Sequence, residues 1–204
     1  MKSLPVDQLN RQELYQILTS CIAPRPIALV STISKKGIPN LAPFSFFNAF
    51  GFNPPIVVFS PTRRGKDGTK KDTLHNLEEV PQCVVHMVPH RIVEQVNLAS
   101  KEWAPQVDEF VECSLTSIPS VCVKPPRVKE SPVHMECRVN QIISLGDKPG
   151  SGNLAICEVL HFHIDETLYE NGLHPDELDL VARNGGAFYT RACKEALFEL
   201  SKPQ

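Results

Sequence analysis

Net charge is scarce in this chain. Its 204 residues carry 21 Lys and Arg against 23 Asp and Glu, a formal net charge of −2. No global field draws it to nucleic acid or to an anionic membrane, so any basic site has to be local. No apolar run reaches the roughly 18 residues that a membrane span needs, and residues 1–15 lack the apolar core of a signal peptide. Neither a GxxxxGK[ST] phosphate loop nor a GxGxxG turn occurs. The seven cysteines are odd in number, form no CxxC pair and mostly sit in apolar runs. They read as buried reduced thiols, which fits a cytoplasmic location. No internal repeat, low-complexity tract or linker divides the chain. Hydrophobic content of 42% and charged content of 22% are ordinary for one globular domain spanning residues 1–204.

What is present is mostly strand pattern. Residues 6–21 form an amphipathic helical lead, about 6–20, with Leu9, Ile17 and Leu18 as its apolar side. A strand is expected from Ile27 to Ile33, a Gly-containing turn at 34–40, and another strand from Ile56 to Ser60. A short helix is expected from about Thr73 to Glu79, then a strand at 82–88 and a helix at 91–100. Residues 103–132 are irregular and rich in proline. Long strands are expected at 133–145 and 153–165, with a closing amphipathic helix at about 187–200. Successive strands with few helices predict a mainly β fold, an antiparallel barrel with a few peripheral helices.

Two segments invite chemistry. Residues 40–50 hold Phe44, Phe46, Phe47 and Phe50 interrupted by Ser45 and Asn48. A buried hydroxyl or carboxamide without a partner costs on the order of 1–3 kcal/mol, so Ser45 and Asn48 need partners. They either satisfy local backbone or meet a flat heteroaromatic ring that lies on phenylalanine and is hydrogen-bonded at its edge. Residues 61–71 hold Arg63, Arg64, Lys66, Lys70 and Lys71, five cations against Asp67 and Asp72. This loop runs into a helix start, where Thr73 or Asp72 serves as N-cap and free amides favour an anion. It is either a solvated charged loop or a phosphate site. Nucleic acid fits poorly, because no aromatics interleave the charge. The short strand 56–60 joins the two segments, so one ligand with a ring at one end and a phosphate at the other satisfies both. A flavin mononucleotide (FMN) has that shape. Thr32 would add a donor at the ring edge, and Arg25 would approach from the turn before the first strand.

Six stretches in order, residues 24–32, 39–50, 53–60, 71–79, 123–139 and 182–191, resemble the flavin reductase-like, FMN-binding split-barrel family, in the branch that includes flavoredoxin. The resemblance covers about residues 20–192. It implies a Greek-key split barrel that forms a homodimer with one FMN per subunit. It implies that Thr32 and the stretch Ser45, Phe46, Phe47 and Asn48 surround the flavin ring. Ser60, Lys71, Asp72 and Thr73 match the phosphate-side positions, with Arg63 and Arg64 as further candidates. Residues around Gly186 and Tyr189 match a part that closes over the flavin, from this subunit or its partner. His134 stands where a small residue is expected.

If FMN binds, the cofactor carries the chemistry and no protein base is required. The reaction implied is hydride transfer from NAD(P)H to flavin and onward to a small-molecule acceptor. A flavin-binding electron carrier without NAD(P)H activity is the alternative, and a purely structural barrel a third. His161 and His163 share a strand face and would make a metal site only with His174 or Glu158. They read as surface residues, as His86 and His90 read as structural ones. Trp103 packs under a loop.

Overall fold

The computed structural model describes residues 1–203. A 3₁₀ turn at Val6–Gln8 precedes α1 (Arg11–Cys21), which opens on a capping box. Asn10 Oδ1 accepts from the amides of Gln12 and Glu13, and the Glu13 carboxylate accepts from the Asn10 amide. Then follow β1 (Arg25–Pro26), β2 (Ala28–Ile33), β3 (Pro39–Phe44), β4 (Phe47–Phe52), β5 (Pro55–Phe59), α2 (Asp72–Glu79) and β6 (Gln82–Met87). After α3 (Val93–Leu98) and α4 (Glu109–Glu112) come β7 (Ser117–Ile118), β8 (Arg127–Val128), β9 (Val133–Ser144) and β10 (Asn153–Ile164). α5 (Glu166–Glu170), α6 (Pro175–Leu178), β11 (Val181–Arg183) and β12 (Tyr189–Arg191) complete the order. No helix among the described residues is long and apolar enough to cross a membrane.

Seven antiparallel strands form one sheet in the order β3-β2-β6-β9-β10-β5-β4. Its two outer strands, β3 and β4, are separated in sequence by Ser45 and Phe46 alone. The sheet edges therefore meet at that bend without sharing a ladder, which makes a barrel split along one seam. β2 is buried on both faces, so its apolar residues Ala28, Leu29 and Val30 run together rather than alternate. Ala28 and Val30 face a cluster with Phe44, Phe59, Val85 and Met135. Ile27 and Leu29 face a second cluster, with Val96 of α3 and Phe110 of α4. A smaller sheet, β1-β11-β12, ties the C-terminal region to the entry of β2.

Residues 121 and 122 of the irregular stretch 103–132 are held to the barrel by a buried carboxylate. Glu136 on β9 is fully buried. It accepts from the amides of Val121 and Cys122 at 2.8 and 2.6 Å, and from His163 Nε2 at 2.7 Å. Burial alone would push its carboxyl up. The two amides and then His163 overcome that and hold it at about 2.

Two expected elements differ. The closing helix at 187–200 is absent: Tyr189–Arg191 pairs with Val181–Arg183 as β12, and only a 3₁₀ turn at Lys194–Ala196 follows. Pairing with β11 satisfies these backbone groups and overrides the helical pattern. The expected apolar side of α1 is also uncovered, with Ile17 and Leu18 exposed and Thr19 the buried residue. α1 is held instead through its carbonyls, because the Arg25 guanidinium donates to those of Thr19 and Ile22.

Candidate functional site

The β3–β4 bend and the head of α2 open on one cleft of about 640 Å³. Phe46 lines it from the bend, Thr62, Arg63 and Gly65 from the basic loop, Lys71 from the helix start and Tyr15 from α1. The loop is fixed by its fit against the β9–β10 turn. The Arg63 guanidinium donates to the carbonyls of Gly146 and Gly68, both at 3.1 Å. Gly68 has φ +75°, and a Cβ there would meet the Asp147 carbonyl oxygen at 3.2 Å, so this approach requires glycine. Ser60 ties bend to loop: its amide donates to the Phe46 carbonyl at 2.9 Å, and its hydroxyl accepts from the Asn153 amide at 3.1 Å.

Lys71 is itself the N-cap of α2, one residue before the expected cap, and no side chain caps the helix. The first helical amides, those of Asp72 and Thr73, have no intrahelical acceptor. Burial lowers the Lys71 pKa, Glu102 opposes this, and Arg64 lowers it further. Its Nζ lies 5.9 Å from the Phe44 ring centroid. Among the described residues no carboxylate oxygen is within 4 Å of it. A partly buried cation without a counter-ion, at a helix N-terminus, can hold an anion.

Other expected phosphate ligands are differently engaged. Arg64 donates to the Lys70 carbonyl and to Asp72 Oδ2, the latter at 3.1 Å, and lies 3.9 Å from Glu102. It clamps the loop, and the Asp72 carboxylate faces it rather than capping the helix. Thr73 is buried and donates to Asn40 Oδ1 at 2.7 Å. Thr32 is fully buried, donating to Asn40 Oδ1 at 3.2 Å and accepting from Asn76 at 3.0 Å. Asn40 in turn donates to Glu109 at 2.7 Å. Burial raises the Glu109 carboxyl, against hydrogen bonds from its own amide, Asn40 and Leu41. The Thr32 and Thr73 hydroxyls thus serve an internal network, which corrects their expected place at the ring edge and the phosphate. Sequence patterns did not show this, because its members come from β2, β3, α2 and α4.

Of the aromatic segment, Phe46 alone lines the large cleft. Phe47 packs against the barrel core. Asn48 is exposed on the edge strand and accepts from the Ala49 amide at 2.8 Å, so it does not face a shared pocket. Ser45 lines a second cleft of about 230 Å³ together with Tyr15, Asn97, Arg183 and Tyr189. Tyr15 borders both clefts, which makes them neighbours. The Tyr189 hydroxyl accepts from Arg183 at 2.7 Å and donates to Asn97 at 3.3 Å. Tyr189 and Ser45 therefore line one cleft within a single chain. Gly186, exposed at φ +60°, makes the turn behind it, and its carbonyl accepts from Arg183. Arg25 spends its guanidinium on three carbonyls, with its Cζ 6.0 Å from the Phe46 ring centroid. Trp103, placed by sequence under a loop, borders a small cavity of about 80 Å³ with Arg64, Lys71 and Thr73, and its indole N–H is buried without a partner. The His161 and His163 rings do lie side by side, 4.5 Å between centroids, but His163 is bonded to Glu136. Among the described residues no three His, Cys, Asp or Glu side chains are placed to hold a metal ion.

A barrel split at an aromatic bend, with a cationic helix start beside it, defines a class. The flavin reductase like domain family matches residues 20–188, and the chain belongs to that family. Its fold is that of nitrilotriacetate monooxygenase component B from Bacillus cereus, 33% identical with a TM-score of 0.90, covering 100% of this chain and 98% of that one. The 2-nitrobenzoate 2-nitroreductase of Pseudomonas fluorescens is 29% identical with a TM-score of 0.86, covering 99% and 96%. Flavoredoxin of Desulfovibrio vulgaris shares the fold at 20% identity and a TM-score of 0.73, covering 99% and 96%.

Proposed function

We propose that this protein is an FMN-dependent oxidoreductase that takes reducing equivalents from NAD(P)H and passes them to a small-molecule acceptor. The observation that carries this is the sharing of one cleft by Phe46 and Lys71. FMN is matched by that cleft in two ways: Phe46 and Tyr15 give it aromatic wall beside the cations Arg63 and Lys71, and its volume is in the range of cofactor sites. When bound, FMN supplies the capacity to accept a hydride and release electrons onward. The chain's own residues bind and orient. Phe46 and Tyr15 bound the ring, while Lys71, the N-cap of α2, and Arg63 hold the phosphate. Family membership and the nitroreductase among the structural neighbours support the same reading.

The exposed edge strand β4 supports a homodimer. Phe50 and Phe52 project from it at 69% and 94% exposure, an apolar edge that a second copy would cover. All seven thiols are unpaired, in keeping with a reducing compartment such as the cytoplasm.

The test is spectroscopic. The purified protein loaded with FMN is expected to be yellow, and its flavin absorbance to bleach anaerobically on adding NADH or NADPH. FMN that binds but bleaches only with dithionite would identify an electron carrier instead. A protein that takes up no FMN would end the proposal.

A further inference from the structure

In the short ladder between β1 and β11, Arg25 stands directly opposite Arg183. Cross-strand partners share a sheet face, and like charges placed there destabilise the pairing. No acid relieves it: among the described residues neither guanidinium has a carboxylate oxygen within 4 Å. Arg25 is only 6% exposed, and its Nε is buried without a partner. Burial lowers its pKa, Tyr15 raises it and the neighbouring Arg183 charge lowers it again. Arg183 is held in place by the Tyr189 hydroxyl and the Gly186 carbonyl, with its Cζ 4.6 Å from the Tyr189 ring centroid. It is the one charged side chain, among the described residues, on the wall of the 230 Å³ cleft. Ile27, Pro43 and Val96 supply apolar wall, and Ser45 connects this cleft to the aromatic bend.

An unneutralised arginine pair beside a small, partly apolar cleft lacks an anion. We propose that this cleft binds a small single-ring carboxylate, with Arg183 as the residue that holds the carboxylate. The guanidinium presents a planar fork suited to a carboxylate, and the cleft is below the usual size of sites for drug-sized molecules. That the anion is a second substrate of the flavin site rests on the proposed function. The preference for an anion does not. A dinucleotide could present an anion here through its phosphates, so the test separates the two sources.

Melting temperature is measured for the full chain, with and without FMN, in the presence of benzoate, its neutral isostere benzamide, or ADP. Benzoate is expected to raise it in both states and benzamide not to. Arg183→Gln should weaken benzoate at least about tenfold, the loss of a charge-assisted contact. Arg183→Lys, which keeps the charge, should retain the preference for benzoate over benzamide, and it decides the matter if Arg183→Gln does not fold. Equal responses to benzoate and benzamide, full benzoate affinity in Arg183→Gln, or a response to ADP alone would each overturn the proposal. A benzoate response in a protein that takes up no FMN would leave the anion site standing and remove the flavin reading.

Discussion

Lys71→Met is expected to weaken FMN binding by about 10- to 100-fold while changing riboflavin binding little, the loss expected for a hydrogen bond to a charged group. The two ligands differ only in the phosphate, so their ratio isolates the phosphate end of the cleft. Lys71 is the right group to remove because it is a cation without a counter-ion beside the free amides of α2. Arg64 is the wrong one, since it already neutralises Asp72 at 3.1 Å and its loss would loosen the loop as a whole. Methionine keeps an apolar stem close to Phe44. Flavin fluorescence titration reads both affinities. Equal weakening of FMN and riboflavin would mean that the phosphate lies elsewhere.

Glu136→Gln is expected to cost about 1–3 kcal/mol of stability, the range for leaving a buried hydrogen-bonding group without its partner. For a chain of this length that lowers the melting temperature by roughly 5 °C. The carboxylate takes two loop amides and His163, and a carboxamide cannot accept from all three on the same atoms. The pH dependence follows from the sign of the shift. The folded-state pKa is about 2, below the ordinary 4.5. The charge therefore contributes fully above about pH 4.5 and is lost as pH falls toward 2. Denaturant unfolding at pH 7 and pH 3 should show the gap between variant and parent narrowing at the lower pH. A gap that stays constant would show that packing, not the charge, holds residues 121 and 122.

Much of the barrel was legible because its strands are long or buried on both faces. The strands expected at 133–145 and 153–165 match β9 and β10 to within a residue. The apolar run of β2 and the short helix α2 were equally plain. The C-terminal helix failed because the backbone of Tyr189–Arg191 finds β11, a tertiary pairing that local periodicity does not report. At the site, Phe46 and Lys71 were visible as an aromatic bend and a cationic helix start. Thr32 and Thr73 were expected at the ligand both from the residues and from the resemblance, yet their hydroxyls are taken by Asn40 and Asn76. A polar residue in a strand reads the same whether it meets a ligand or a buried partner from another element. The Arg25–Arg183 pair was hidden for a related reason, since it exists only in the register of β1 and β11.

An experimental density map of the protein with FMN tests the central claim most directly. The isoalloxazine is expected against Phe46, with the phosphate within hydrogen-bonding distance of Lys71 Nζ and the amides of Asp72 and Thr73. A flavin found outside the cleft that Phe46 and Lys71 share, or one with its phosphate at Arg183, would contradict it.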